Sequence, residues 1–165
     1  MVRITPAEIP EDAPHRNNLI ATTLNNPELF RGFASLSGRV HTASHLSDRL
    51  REIVVLRTVT RLGAEYEWAS HVRVARSSEL LSDREIEALE TGSIDGFSDA
   101  EVAAISFAEA VEDRAVDDAL WRSTSVHYSE VELLDLAMLV GFYGLASRVV
   151  LALDVPLDET PPSVR

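Results

Sequence analysis

The distribution of proline is the feature that most restricts the fold of this chain. No proline occurs between Glu28 and Val155, and all seven prolines lie before or after this stretch. Proline removes a backbone hydrogen-bond donor and costs about 3 kcal/mol in the interior of a helix. No segment has the strict alternation of apolar and polar residues that is typical of strands. The sequence therefore predicts an all-α fold of roughly seven or eight helices.

Several helix starts are marked by capping boxes, in which a serine or threonine and a glutamate three residues later cap the first turn. Three such motifs begin at Ser82, Ser98 and Ser129, and Thr5 with Glu8 forms a fourth. Asparagine and serine caps and glycine stops predict further boundaries. These are starts at Asn25 or Asn26, at Ser47 and near Ala64, and ends at Gly63 and near Gly92.

The segment from Ser129 to Leu153 is apolar on all sides when it is drawn as a helix. Such a helix must be buried all round, which predicts a central helix or one that packs against a second subunit. Its longest stretch without a charge, from Leu136 to Ser147, is too short for a bilayer, which needs about 20 residues. We therefore expect no membrane location.

The composition excludes several kinds of chemistry. All 15 basic residues are arginine, the acidic residues number 27, and the net charge is −12; lysine and cysteine do not occur. The chain therefore cannot form a lysine Schiff base, a thiolate nucleophile or a cysteine-ligated metal site. The acidic balance argues against nucleic acid and anionic membranes as partners. The first residues lack the apolar core of a signal peptide, so we expect a cytoplasmic protein.

Glu67 and His71 are the most informative pair of residues. They are four residues apart in a predicted helix, so their side chains share one face. A carboxylate beside an imidazole raises the pKa of the histidine and selects its tautomer, which suits proton transfer. The same spacing also describes an ordinary intrahelical pair, which contributes only about 0.2–0.5 kcal/mol. The spacing alone leaves both interpretations open.

Four further residues are candidates for substrate binding. Trp68 is next to the pair and could line a pocket, although packing is the ordinary role of a tryptophan. Arg57, Arg73 and Arg148 could each bind a substrate carboxylate through two hydrogen bonds, or form ordinary ion pairs.

The remaining histidines give weaker signals. His41 and His45 have i,i+4 spacing, but no third ligand is indicated, so we predict no metal site. His15 precedes the proline-free stretch and His127 precedes a capping box, and both are expected at the surface or in a cap.

Five segments carry a family resemblance: NPELF at 26–30, LSDRLREIVVLR at 46–57, EYEWASH at 65–71, LSDREI at 81–86 and VGFYGLASR at 140–148. Together they resemble the carboxymuconolactone decarboxylase family, the superfamily of the AhpD alkyl hydroperoxidase fold. The resemblance implies an AhpD-like helical domain that assembles into a homo-oligomer, as a dimer, trimer or hexamer. We expect an N-terminal arm with a short helix at residues 1–25, the helical domain at 26–157 and a flexible tail at 158–165.

The resemblance also gives a specific meaning to Glu67 and His71. The redox branch of the family carries C-x-x-C, followed four residues later by histidine. Ala64 and Glu67 occupy these cysteine positions here, so thiol peroxidase chemistry is lost while His71 is kept. The decarboxylase branch has glutamate at the second position and histidine four residues later. That branch converts a γ-carboxylated muconolactone into an enol-lactone and uses no cofactor.

We therefore predict a cofactor-free lyase or isomerase that acts on a small carboxylated lactone or enolisable acid. His71 is the predicted proton donor and Glu67 its orienting group. The alternative is a non-catalytic oligomeric binding or scaffold protein that has lost the thiol site. A cavity that reaches both residues favours the enzyme, whereas a fully packed pair favours the scaffold. Residual peroxide protection is a third possibility and would require a bound metal.

Overall fold

The computed structural model describes residues 2–11, 13 and 15–158. Within this part of the chain there are eight α-helices and no strands, which confirms the predicted fold class. The helices are α1 (Asn18–Thr23), α2 (Pro27–Thr42), α3 (Asp48–Leu62), α4 (Glu65–Ser77), α5 (Asp83–Thr91), α6 (Asp99–Asp113), α7 (Asp118–Thr124) and α8 (Glu130–Leu153).

Side-chain caps begin most of the helices. The capping boxes of α5, α6 and α8 are complete, because each serine accepts from the N–H three residues on and each glutamate reaches back. Asn26 and Ser47 cap α2 and α3 with the side chain alone, each accepting from the N–H three residues on. α3 ends at Gly63, whose φ of 67° is in the left-handed region that glycine tolerates best. These predicted boundaries are confirmed.

The fourth predicted capping box, at Thr5, is wrong because no helix begins there. The segment is instead tied to α1: the Ala7 N–H donates to the Ala21 carbonyl (2.8 Å), and the Asn25 side chain donates to the Thr5 carbonyl (3.0 Å). A helix starting at Thr5 would also need an N–H from Pro10, which proline lacks. The short helix of the N-terminal arm is α1.

Helix α3 is the centre of the domain and packs against α4, α5, α6 and α8. Nearly all of its residues from Leu50 to Val59 are buried. One hydrophobic cluster joins α3 to α6 and α8, and a second joins it to α4, α5 and α6. The tight turn at Gly63 folds α4 back against α3, which brings Glu52 and His71 together.

Helix α8 is buried on most of its surface, but one stripe faces outwards. Val131, Leu134, Met138 and Leu145 are each at least 46% exposed. The prediction of burial all round is therefore wrong for the single chain, and packing of this stripe against a second copy stays a prediction. Among the described residues, α8 alone is long and apolar enough to cross a membrane. Half of that window is buried inside the protein, so a membrane location is not indicated.

The chain that follows α8 is held in place as far as Asp158. Its carboxylate accepts hydrogen bonds from the Tyr66 hydroxyl (2.8 Å) and from the Asn18 backbone N–H (2.7 Å). The Asn18 side chain also donates to the Pro156 carbonyl (3.1 Å). Asp158 is the first residue of the predicted flexible tail, and residues 159–165 of that tail lie outside the described part, so its flexibility stays a prediction.

Candidate active site

A cavity of about 650 Å3 lies between the N-terminal segment and helices α1, α2, α4 and α8. Most of its lining is apolar, and its residues from α4 and α8 with polar side-chain atoms are Tyr66, Glu67, Ser70, His71 and Tyr143. A cavity of this volume accommodates a small organic molecule. Both members of the predicted pair line it, which makes it the candidate site.

His71 is held by a carboxylate that the sequence pattern does not single out. Its Nδ1 lies 2.9 Å from Glu52 Oε2, and both side chains are buried. Burial lowers the pKa of His71, but the charge and hydrogen bond of Glu52 outweigh it, so the pKa is raised. With Nδ1 bonded to Glu52, Nε2 is the nitrogen left to exchange a proton with a ligand.

Glu67 shares the inner face of α4 with His71, but it does not orient the histidine as predicted. That role belongs to Glu52, because Glu52 on the neighbouring helix reaches Nδ1 directly. Glu67 Oε1 is buried and has no hydrogen-bond partner in the described part of the protein. Burial raises the pKa of Glu67, although the nearby His71 opposes this shift. The carboxyl therefore keeps its proton to a higher pH than an ordinary glutamate does.

Tyr143 completes the polar end of the cavity. Its ring meets the His71 ring edge to face, with centroids 4.8 Å apart and an interplanar angle of 88°. Its hydroxyl lies 2.8 Å from Nε2 of His41, a residue of α2. Burial raises the pKa of Tyr143 well above its ordinary value, so the phenol stays neutral. Burial and the neighbouring His71 lower the pKa of His41.

The structure does not bring the other predicted binding residues to the cavity. Arg57 faces α5 and α6, where it donates to Glu109 (2.5 Å) and to the Leu89 carbonyl. Arg148 donates to the carbonyl of Gly144 one turn earlier, at 2.7 Å.

Arg73 and Trp68 are also absent from the residues that line the cavity, so the structure does not place them with Glu67 and His71. Trp68 packs against both hydrophobic clusters instead. Among the described residues, no three His, Asp or Glu side chains come together as a metal site.

Two residues of the site carried a signal that sequence reading could have used. Glu52 is an acidic residue within the apolar run from Leu50 to Val59, where an unpaired charge would be costly. Tyr143 places a hydroxyl in the middle of the most apolar helix. A buried polar group of this kind calls for a partner. Only the fold shows that Glu52 pairs with His71 and that Tyr143 pairs with His41.

The fold is all-helical and is similar to solved structures of AhpD-like proteins. The structure superposes with a TM-score of 0.80 on an uncharacterized peroxidase-related protein with an alkylhydroperoxidase AhpD core from Ralstonia eutropha JMP134 (18% identity; 96% of this chain and 93% of that one). It matches a protein of unknown function from Agrobacterium tumefaciens with a TM-score of 0.77 (18% identity; 84% and 96%).

A debrominase solved in complex with 2,3,4-tribromopyrrole has the same fold (TM-score 0.77, 22% identity; 88% of this chain and 79% of that one). A comparison with curated protein sequences gave no match. The carboxymuconolactone decarboxylase family matches residues 27–110, and this chain belongs to that family.

Proposed function

We propose that this protein is a cofactor-free lyase or isomerase that moves a proton at a carbon next to a carbonyl group. The substrate is a small carboxylated lactone or enolisable acid, and His71 carries the proton. The observation that supports this most directly is the arrangement of His71, which lines the cavity while Glu52 holds its Nδ1 at 2.9 Å.

In a decarboxylation, the bond between the substrate carbon and its carboxylate breaks and CO2 leaves. The electron pair moves into the conjugated carbonyl, which becomes an enolate. The His71 imidazolium then donates its Nε2 proton to the carbon, and solvent later returns a proton to the ring. In an isomerisation, the neutral ring first removes a proton from one carbon and then delivers it to another.

Tyr143 is suited to stabilise the enolate oxygen. Its phenol is neutral and lines the cavity beside His71. When neutral His41 carries its proton on Nε2, it donates to the Tyr143 oxygen and leaves the phenolic hydrogen available for the substrate. A donor aimed at developing negative charge contributes most in a site from which water is excluded.

Glu67 is a second acid in the same cavity. Its raised pKa favours the protonated carboxyl, which can donate a hydrogen bond or a proton to the substrate. The site therefore combines His71, which Glu52 holds and which can act as acid or base, with a second acid, Glu67.

The scaffold alternative is not favoured, because the pair lines a cavity instead of being packed on all sides. Thiol chemistry is excluded by the absence of cysteine. The debrominase of the same fold binds a small planar ring, which supports a small ring compound as the ligand here. We also propose a cytoplasmic homo-oligomer formed through the exposed stripe of α8.

The test measures the incorporation of deuterium from solvent into a panel of carboxylated lactones and 2-oxo acids, with proton NMR as the readout. We expect exchange or decarboxylation to be accelerated by the protein and reduced about 10²- to 10⁴-fold by His71→Gln. His127→Gln, at an exposed histidine outside the cavity, is the matched control and should leave the rate unchanged. Equal rates for His71→Gln and the wild type would refute the proposal.

A further inference from the structure

The far end of the cavity is built from aromatic and aliphatic side chains. Phe30 and Phe33 of α2 are only partly buried and line it together with Phe142 of α8. The Phe33 and Phe142 rings are 5.1 Å apart with a tilt of 35°, so they form one continuous apolar wall. Leu19 and Leu24 extend this wall along α1 and its C-terminus. Apolar surface that is left open inside a cavity favours a ligand with an apolar body.

The charge at the polar end is already balanced. Among the described residues that line the cavity there is no arginine, and the buried cation is His71. Glu52 neutralises that cation, and Glu67 adds a second carboxyl to the same space. His15 is the other histidine of the lining, and it is exposed. A ligand with two carboxylates would therefore place at least one of them without a partner, which is strongly unfavourable.

We infer that the cavity selects a compact ligand with an apolar ring and at most one charged group. The ring lies against Phe30, Phe33 and Phe142, and the polar group faces His71 and Tyr143. This inference names the substrate class of the proposed function and rests on it. It separates this protein from an enzyme for a lactone that carries two carboxylates, since no arginine lines the described part of the cavity and its buried cation, His71, is already paired with Glu52.

The experiment compares the binding of phenylpyruvate and oxaloacetate by isothermal titration calorimetry at about pH 7.5. The carboxyl groups of both ligands are ionised at this pH. Both are enolisable 2-oxo acids, and they differ in carrying a phenyl ring or a second carboxylate. We expect phenylpyruvate to bind at least about tenfold more tightly. Equal affinities, a preference for oxaloacetate, or no binding of either compound would overturn the inference.

Variants on one helix locate the preference. Phe33→Ala should weaken phenylpyruvate binding at least about fivefold, because it removes ring contacts from the apolar wall. Leu29→Ala is the matched control, since Leu29 is on the same helix, is 71% exposed and does not line the cavity. It should leave both affinities unchanged, and an equal loss in the two variants would contradict the assignment.

A gain-of-function variant keeps the test valid if Phe33→Ala fails to fold. Ser37 lines the cavity from α2. Ser37→Arg supplies the missing cation and should raise the affinity for oxaloacetate at least about fivefold relative to phenylpyruvate. An unchanged ratio would count against the inference.

The binding and exchange measurements separate the two proposals. If phenylpyruvate is preferred but its exchange is no faster than without protein, the proposed function fails while the ligand class stands. If exchange depends on His71 but the two ligands bind equally, the ligand class fails while the proposed function stands.

Discussion

Two clusters of carboxylates and cations each include a residue of α3, and they differ in exposure, in bonding and in the direction of their pKa shifts. In the first cluster, Arg49 of α3 bonds Glu85 of α5 (2.5 Å) and Glu101 of α6 (2.7 Å). In the second cluster, His71 bonds the buried Glu52, while Glu67 remains without a hydrogen bond in the described part of the protein. The first cluster joins helices near the surface, whereas the second borders the cavity.

The pKa shifts in the two clusters have opposite directions. Hydrogen bonds from Arg49 and Ser82 lower the pKa of Glu85 to about 2, so this carboxylate is charged at any ordinary pH. Burial raises the pKa of Glu67, so this carboxyl resists ionisation. The first arrangement stabilises the fold, whereas the second keeps buried ionisable groups beside the cavity at a cost in stability, as the proposed proton transfer would require. Four predictions, the first with a matched control substitution, test this distinction.

The largest effect is expected from Glu52→Gln. The amide keeps the shape of the side chain but removes the negative charge that raises the pKa of His71. The imidazolium then loses its proton at a lower pH, and we expect kcat to fall roughly 10²-fold. The alkaline limb of the pH–rate profile should also move to lower pH, which distinguishes a positioning residue from a purely structural one.

Glu85→Gln is the control for this prediction, because it removes one carboxylate from the other cluster. It should leave both kcat and the position of the alkaline limb unchanged. A pH profile that Glu52→Gln does not move would show that another group sets the protonation of His71.

Local rules account for much of the fold. Serine caps and capping boxes predict the starts of α3, α5, α6 and α8, and glycine stops predict the ends of α3 and α5, because each depends on a few neighbouring residues. The same rule fails at Thr5, where tertiary hydrogen bonds to α1 and a nearby proline decide the conformation. The short helix α7, capped by Asp117, has no apolar periodicity strong enough to predict it.

The site could be predicted only in part, because its contacts cross between helices. The i,i+4 spacing identifies Glu67 and His71 within one helix. The Glu52–His71 bond spans 19 residues and the His41–Tyr143 bond spans 102, so both depend on how the helices pack. Helix crossing geometry, unlike spacing within a helix, has no short sequence signature.

The second prediction concerns the surface cluster. Arg49→Met should lower the free energy of unfolding at pH 7 by about 1–2 kcal/mol, because it removes the hydrogen bonds to Glu85, Glu101 and the Leu80 carbonyl. Turnover should be unchanged. Urea denaturation measures the loss, and an accompanying fall in kcat would contradict the separation of the two clusters.

The pH dependence of this loss has a definite sign. The depressed pKa of Glu85 means that its contribution is complete above its ordinary value of 4.5 and is lost as the pH falls towards about 2. The difference between the wild type and Arg49→Met should therefore shrink on acidification. A difference that grows below pH 4 would contradict this assignment.

The third prediction concerns Glu67, whose contribution to stability changes with pH in the opposite direction to that of Glu85. The raised pKa of Glu67 makes its contribution complete below its ordinary value of 4.5, and the contribution is lost as the pH rises through the raised value. Glu67→Gln should therefore gain stability relative to the wild type as the pH rises from 4.5 to 8, by up to about 1 kcal/mol. Urea denaturation at several pH values measures the trend, and a constant difference would indicate that Glu67 does not titrate in this range.

The smallest effect is expected from Arg73→Gln. Arg73 follows His71 by two residues, which is about 200° around a helix with 3.6 residues per turn. Its side chain therefore leaves α4 on the side away from His71 and the cavity, and it does not line the cavity. We expect the phenylpyruvate affinity and kcat to stay within about twofold of the wild type. A larger loss of affinity would mean that the Arg73 guanidinium lies near the ligand, and it would contradict the placement of the ligand's charged group at His71 and Tyr143.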